Sequence, residues 1–268
     1  MATATEFKTI AVTCVDHVGT ITLNRPDVLN AFNDELSGEF IAALKQAAKD
    51  TDVRVLVITG AGRAFSSGQD LGDLERKYVP GHVPALGADL KKRYDPWVKL
   101  IRTMDKPVIA AVNGVAAGAG CSLALACDLR IASEHAKFIE VFINVGLIPD
   151  TASTWMLPRL IGLGRAMELC MSGRPVKADE ALAIGLVNQV VPADDLEAAT
   201  AKMAGRLASL PGKALSLTKR LLNESFERSL VEQLEAESFA QETAGRTADH
   251  FEGVTAFLQK RTPEFTGK

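Results

Sequence analysis

The chain has 268 residues, 47% hydrophobic and 24% charged, enough to bury the core of one large domain or of one domain with an appendage. A formal net charge of −3 argues against a duplex nucleic-acid binder, which needs a basic footprint. The four cysteines (Cys14, Cys121, Cys127, Cys170) form no CxxC pair and the four histidines are scattered, so no metal site and no disulfide framework is expected.

The opening MATATEFKTI has neither a basic n-region nor an apolar h-region, and apolar stretches such as PVIAAVNGVAAGAG are short or broken by glycine. A cytoplasmic protein without a membrane span is therefore expected. Residues 8–15 and 18–24 are β-rich and joined by Asp16-His17, which predicts a hairpin. Pro26 ends the second strand. Over 34–49, Leu36, Phe40, Ile41, Leu44 and Ala48 fall at helical spacing. A buried-type strand over 54–59 leads into a glycine-rich loop, 60–72. Residues 73–86 are polar and carry Pro80, Gly81 and Pro84, the segment expected to move most. Helix is predicted through much of 87–104, with a kink or break at Pro96. A strand over 108–113, a second glycine-rich loop at 114–120, a helix of small residues, a strand over 129–133 and a short strand around Phe138 follow. Beyond Pro149 the pattern turns helical, including 229–242 and 248–260. Alternation early and helices late imply an α/β core with a helical C-terminal region.

The first loop opens Gly60-Ala61-Gly62, but Phe65 stands where a dinucleotide fingerprint needs its third glycine, and no long apolar helix follows. A Rossmann site is rejected on that ground. What is left are two loops, each after a buried strand: Ala64-Phe65-Ser66-Ser67-Gly68-Gln69-Asp70-Leu71, and Asn113-Gly114-Val115-Ala116-Ala117-Gly118-Ala119-Gly120. Small residues let a ligand approach the main chain, and free N–H groups at a helix start suit an oxygen gaining negative charge. Either loop alone reads equally as a tight turn that permits close packing.

Together the loops resemble the crotonase (enoyl-CoA hydratase/isomerase) family. The resemblance extends over nearly the whole chain: Leu23-Asn24-Arg25-Pro26 with Leu29-Asn30-Ala31-Phe32, Lys106-Pro107-Val108 through Gly114, Asp128-Leu129-Arg130-Ile131-Ala132, and Ala181-Leu182-Ala183-Ile184-Gly185-Leu186-Val187. Within the family, residues 113–120, 146–150 and the tail (253–258 with Pro263, Phe265, Thr266, Gly267 and Lys268) look like the ring-1,2-epoxyphenylacetyl-CoA isomerases of phenylacetate catabolism. The resemblance implies a spiral of ββα turns, with an acyl-CoA site in a core spanning 1–205. It also implies a helical trimerisation region over 206–268, a trimer or dimer of trimers, and no cofactor beyond the CoA of the substrate. It places the oxyanion-hole amides on Gln69 and Ala119. The matched segments that would line the substrate are Arg25, Leu29, Ala31, Ala64, Ser66, Gly68, Asp70, Leu71, Val115, Ala117, Gly118 and Phe142, with Phe257 and Lys260 from the tail; Arg25 and Lys260 are candidates for CoA phosphates.

Hydratases of this family use two glutamates, and those positions hold Ser122 and Phe142 here. Asp150 is the candidate acid–base residue, at a position where isomerases and a dehalogenase of the family carry aspartate; Phe142, Ile148 and Trp155 would raise its pKa. Locally, Asp150 also reads as a helix N-cap after Pro149. Glu140, two residues before Phe142 in a strand-like stretch, reads as solvated or salt-bridged. An enoyl-CoA isomerase is the preferred function. The alternatives are a hydratase, a 4-chlorobenzoyl-CoA dehalogenase-like hydrolase and a non-catalytic acyl-CoA binder or RNA-associated relative. The hydrolase lacks its base histidine, since Lys99 occupies that position.

Overall fold

The computed structural model of the chain describes residues 7–70, 72, 73, 75, 81 and 84–267. Leu71 and most of the polar 73–86 segment lie outside the described residues. Strands β1 (Ile10–Val15) and β2 (Val18–Leu23) pair antiparallel. Asp16 and His17 between them both have positive φ, 48° and 66°, the turn whose twist matches a hairpin. A 3₁₀ turn at Pro26–Val28 ends the second strand, as the proline requires.

Helix α1 (Asp34–Lys49) starts where its capping residue dictates: the Asn33 side chain accepts from the Leu36 amide at 2.8 Å. Its apolar face buries Leu36, Phe40 and Leu44 completely. Strand β3 (Val55–Gly60) continues the sheet and β4 (Ala64–Ser66) leaves it. The predicted 87–104 helix is two, α2 (Leu86–Arg93) and α3 (Asp95–Thr103), broken at Tyr94 with Pro96 in the first turn of α3. Then come β5 (Val108–Val112), β6 (Val115–Ala117), α4 (Ala119–Ala126), β7 (Leu129–Ser133) and β8 (Lys137–Ile139).

Among the described residues the strands form two sheets, a six-stranded one ordered β1-β2-β3-β5-β7-β10 and a four-stranded one ordered β4-β6-β8-β9. The last strands are β9 (Val176–Lys177) and β10 (Gln189–Val191). Successive pairs (β3 then β4, β5 then β6, β7 then β8) put the first strand in the large sheet and the second in the small one. A helical segment follows each pair. This is the expected spiral of ββα turns. The two glycine-rich loops are thus partly strand: β4 and β6 pair in parallel. Their three-residue length hides them from any periodicity argument.

After β8 the helices are α5 (Ser153–Ile161), α6 (Leu163–Ser172), α7 (Ala178–Ala183), α8 (Leu196–Ala208), α9 (Gly212–Glu224), α10 (Leu230–Gly245) and α11 (Ala248–Gln259). The expected division at 205/206 falls inside α8, which packs on β3, β5 and β7. Helix α9 is tied to the core through Lys219 Nζ, which donates to the Ile101 and Lys106 carbonyls and pairs with Asp128 at 2.8 Å. Ser229 and Glu232 form a capping box at the start of α10. Phe226, Phe239 and Phe257 are 66%, 69% and 82% exposed.

Candidate active site

Gln69 is positioned from the core outward. Phe32 is fully buried among Phe40, Tyr94 and Trp97, with ring centroids 6.0–6.3 Å away. Burying such a ring contributes roughly 2–3 kcal/mol. The main chain of Phe32 then grips the first loop: its N–H donates to the Gly68 carbonyl at 2.7 Å and its carbonyl accepts from the Asp70 amide at 3.0 Å. In this parallel bridge residues 68 and 70 face Phe32, so the N–H of Gln69 turns the other way. It finds no acceptor among the described residues.

Ala119 is the first residue of α4, after Gly118 with φ 51°, and a first-turn amide has no intrahelical acceptor. The two loops touch. A Cβ added to Gly68 (φ 91°) would lie 2.7 Å from the Ala117 oxygen and 3.2 Å from the Ala119 nitrogen. Gly120 is explained by packing instead: its added Cβ would fall 2.3 Å from the Ser66 oxygen. Gln69 and Ala119 therefore present unsatisfied amides from adjoining main chain.

The remaining first-loop residues are scaffold as much as lining. Ser66, fully buried, donates to the Asn30 carbonyl at 2.8 Å, and the Asn30 side chain donates to the Ala61 and Ala64 carbonyls. Leu29 has φ 54° and its carbonyl accepts from the Ser67 amide. Arg25 is not free for a phosphate through Nη1, which bonds the Ala31 carbonyl and pairs with Asp70 at 2.8 Å. Arg93, 2% exposed, pairs with Asp34 and Asp73 and donates to the Phe32 carbonyl. Ala64, Ala117 and Phe142 are buried and Val115 half-buried; the Phe142 ring lies 3.8 Å from a Cβ built on Gly118. Phe257 and Lys260 are exposed, and no hydrogen bond or ion pair among the described residues joins them to the loops. Leu71 cannot be placed, being outside the described residues.

Tyr94 was missed by the sequence reading. It is 3% exposed and its hydroxyl donates to Gln69 Oε1. Burial pushes its pKa far up, and the charge of Asp150 adds to the rise. Its only sequence signal was the break before Pro96.

Asp150 does not cap a helix. Helix α5 begins at Ser153 behind Ala152, with no side-chain cap, and Thr151 and Ala152 both adopt left-handed φ, 54° and 67°. For non-glycine residues this turn is strained and must be held by its surroundings. Partial burial raises the Asp150 carboxyl above the ordinary aspartate range; the Thr151 hydroxyl bond at 2.7 Å opposes this and the charge of Asp95 adds to it. Ile148 is 76% exposed and shields little, contrary to expectation.

Glu140 also departs from expectation. It is 4% exposed, accepts from the Ser153 hydroxyl at 3.0 Å and forms no ion pair among the described residues. The chain after it is not a strand but a 3₁₀ turn, Val141–Val145, so even spacing does not align it with Phe142. Burial raises its pKa to about 7, against bonds from Cys121 and Ser153. Ser122 is fully buried and its hydroxyl meets Ser153 Oγ at 2.7 Å. Among the described residues, no group of three or more His, Cys, Asp or Glu is placed to hold a metal ion, and no helix is long and apolar enough to cross a membrane.

Residues 14–268 match the family model described as enoyl-CoA hydratase/isomerase. The chain is 46% identical to the 1,2-epoxyphenylacetyl-CoA isomerase of Escherichia coli (strain K12), over 94% of this chain and 95% of that one. It is 40% identical to a probable enoyl-CoA hydratase of Rhodobacter capsulatus, over 98% and 99%. Among solved structures, a putative enoyl-CoA hydratase from Streptomyces coelicolor A3(2) superposes with a TM-score of 0.93 at 35% identity, covering 100% of this chain and 98% of that one. The spiral fold, the paired loops and these likenesses agree: the chain belongs to the enoyl-CoA hydratase/isomerase family.

Proposed function

We propose that the chain is an acyl-CoA isomerase that moves a β,γ double bond into conjugation with the thioester, with an epoxyphenylacetyl-CoA as a further candidate substrate. The thioester oxygen sits between the amides of Gln69 and Ala119. Asp150 takes a proton from C2. The electron pair passes into the thioester as a dienolate held by the two amides. Asp150 then returns the proton to C4, and the double bond ends between C2 and C3. No cofactor is needed beyond the CoA carried in.

One observation carries the preference for isomerase. Asp150 has a raised pKa and its carbonyl lies 3.3 Å from Ser122 Oγ on α4, the helix that Ala119 opens, whereas the expected positions of a glutamate pair hold a buried serine and a buried phenylalanine. Glu140 is the remaining carboxyl nearby, and its hydrogen bond runs to Ser153. One base suffices to shuttle a proton between two carbons, while hydration must also activate a water. The hydratases among the relatives keep hydration as the second reading.

The free cysteines fit a reducing cytoplasm. The exposed phenylalanines after Pro211 fit a homotrimer or a dimer of trimers, in which Phe257 and Lys260 would reach a site across a subunit boundary.

The test is a comparison of 3-enoyl-CoA isomerisation with crotonyl-CoA hydration in the wild type and in Asp150→Asn. The wild type is expected to isomerise far faster than it hydrates. The substitution should lower isomerisation by about 10²–10⁴-fold with little change in substrate binding. Efficient hydration by the wild type, or near-full isomerisation by Asp150→Asn, would return the hydratase reading.

A further inference from the structure

Behind the loops lies a chain of buried hydroxyls that the proposed reaction does not use. Ser122 Oγ lies 3.1 Å from the Gly118 carbonyl, 3.3 Å from the Asp150 carbonyl and 2.7 Å from Ser153 Oγ. Ser153 Oγ lies 3.0 Å from Glu140 Oε1. Ser122 and Ser153 are fully buried and Glu140 nearly so, with Glu140 Oε2 buried and unpartnered. The two carbonyls that Ser122 reaches are not arbitrary. The Gly118 carbonyl belongs to the same peptide group as the Ala119 N–H. The Asp150 carbonyl belongs to the peptide group that opens the left-handed Thr151-Ala152 turn, which needs outside support.

Hydrogen counting then fixes what the chain can do. Each serine hydroxyl has one hydrogen to give. When Glu140 is a carboxylate, Ser153 donates to it and Ser122 donates to Ser153, which leaves the Gly118 and Asp150 carbonyls with their backbone donors, the Ser122 and Ser153 amides, but without the Ser122 hydroxyl hydrogen. When Glu140 is a neutral acid, it can donate to Ser153, Ser153 to Ser122, and Ser122 to the Gly118 or Asp150 carbonyl. A donor on the Gly118 carbonyl polarises its peptide group and strengthens the Ala119 amide as a donor. A donor on the Asp150 carbonyl braces the strained turn.

We propose that Ser122 is a positioning residue for this reaction, bridging the peptide group of the Ala119 amide to the Asp150 turn, and that Glu140, through Ser153, sets which way the Ser122 hydroxyl points. The inference rests on the roles given to Ala119 and Asp150 above. It gives the serine at the missing-glutamate position a task, and it explains why a carboxyl is kept in a buried place without a cation. The groups around Glu140 are Cys121 on α4, Cys170 on α6, Asp150, and Arg174 across a gap of about 10 Å³. Arg174 is occupied by Glu168 and Glu180, both thiols are pushed further up by burial, and of the two carboxyls Asp150 is raised above the ordinary aspartate range while Glu140 is raised to about 7.

The experiment measures kcat and KM for 3-hexenoyl-CoA isomerisation between pH 5.5 and 9 on the full chain. The variants are Glu140→Gln, Ser122→Ala and Asp150→Asn, with thermal unfolding of each. In the wild type kcat should fall as pH rises through about 7, where Glu140 ionises and withdraws the hydrogen. Glu140→Gln keeps the shape and can only act as the neutral form, so this alkaline fall should vanish. Ser122→Ala should lower kcat about five- to tenfold with KM within about twofold, and it too should lose the alkaline fall. A merely structural role would shift the unfolding temperature and leave the pH profile as it was. An alkaline fall that persists in Glu140→Gln overturns the inference. So does wild-type kcat in Ser122→Ala while Asp150→Asn is inactive, and in that case the base assignment stands. An active Asp150→Asn removes the base assignment, and the inference falls with it. Should Ser122→Ala fail to fold, the profile of Glu140→Gln decides alone.

Discussion

Replacing Glu140 by glutamine should make the protein more stable in alkali, by an amount that the site itself sets. The Glu140 carboxyl ionises at about 7 in the folded chain, against an ordinary value of 4.5. The cause is burial, only partly relieved by bonds from Cys121 and Ser153. A raised pKa means that the folded chain holds its proton more tightly than the unfolded chain does. Between those two values the unfolded state binds fewer protons, so stability falls as pH rises. Below about pH 4.5 no penalty exists, and above about 7 it is complete. At about 1.4 kcal/mol per pH unit the full penalty is about 3 kcal/mol, of which about 2.5 kcal/mol develops between pH 5 and 8.5. The amide occupies the same space, can donate to Ser153 through its NH2 as the neutral acid does, and carries no charge. The assay is urea unfolding of both proteins at pH 5 and pH 8.5, at fixed protein concentration, since any assembly contributes to apparent stability. The variant should gain about 2.5 kcal/mol on the wild type between the two pH values. A difference that does not change with pH would mean that Glu140 is not held near neutrality by burial, and the hydroxyl chain would lose its titrating end.

Two further outcomes follow from the loops, and a third from the surface. Gly68→Ala forces a side chain against the Ala117 oxygen and Ala119 nitrogen at a φ of 91°, so kcat should fall by about 10²-fold or more as the two amides separate. Unchanged kcat in a folded Gly68→Ala would remove the shared-hole geometry. Tyr94→Phe deletes the bond to Gln69 Oε1 and should lower kcat severalfold while the ring, still buried against Phe32 and Trp97, keeps the unfolding temperature close to wild type. Light scattering should report a trimer or larger at micromolar concentration, because Phe226, Phe239 and Phe257 are otherwise exposed; a monomer would contradict the assembly.

The sequence made the local parts of the fold plain and the long-range parts obscure. Helix α1 could be read from the spacing of Leu36, Phe40 and Leu44 and from Asn33 before it, since both signals lie within one stretch of chain. The Asp16-His17 turn and the break at Pro96 are likewise local. Strands β4 and β6 could not be read, because what makes them strands is pairing across some fifty residues between two three-residue segments. Nothing in the sequence marks Tyr94 for a role at the site. Only the fold shows that its hydroxyl ends on Gln69. Asp150 stands out as a candidate acid–base residue only through family likeness, and its competing role as a cap could be dismissed only by seeing α5 start three residues later.

Glu140 shows the same limit more sharply. Read as part of a strand, it faces either the pocket with Phe142 or the solvent. The 3₁₀ turn that follows it sends the chain elsewhere and leaves the carboxyl buried behind Ser153 and Ser122. The consequence is chemical. Water activation needs a carboxylate that meets the substrate face of the loops, and Glu140 meets Ser153 and Cys121 instead. With Phe142 packed near Gly118 and Ser122 turned toward main-chain carbonyls, the wall beside Ala119 offers apolar surface and no base. In the proposed reaction the proton chemistry falls to Asp150, on a turn whose left-handed residues hold it apart from α5. A single carboxylate beside two amide donors can carry one proton out and back while the enolate is held, which is the whole of a double-bond shift and only part of a hydration.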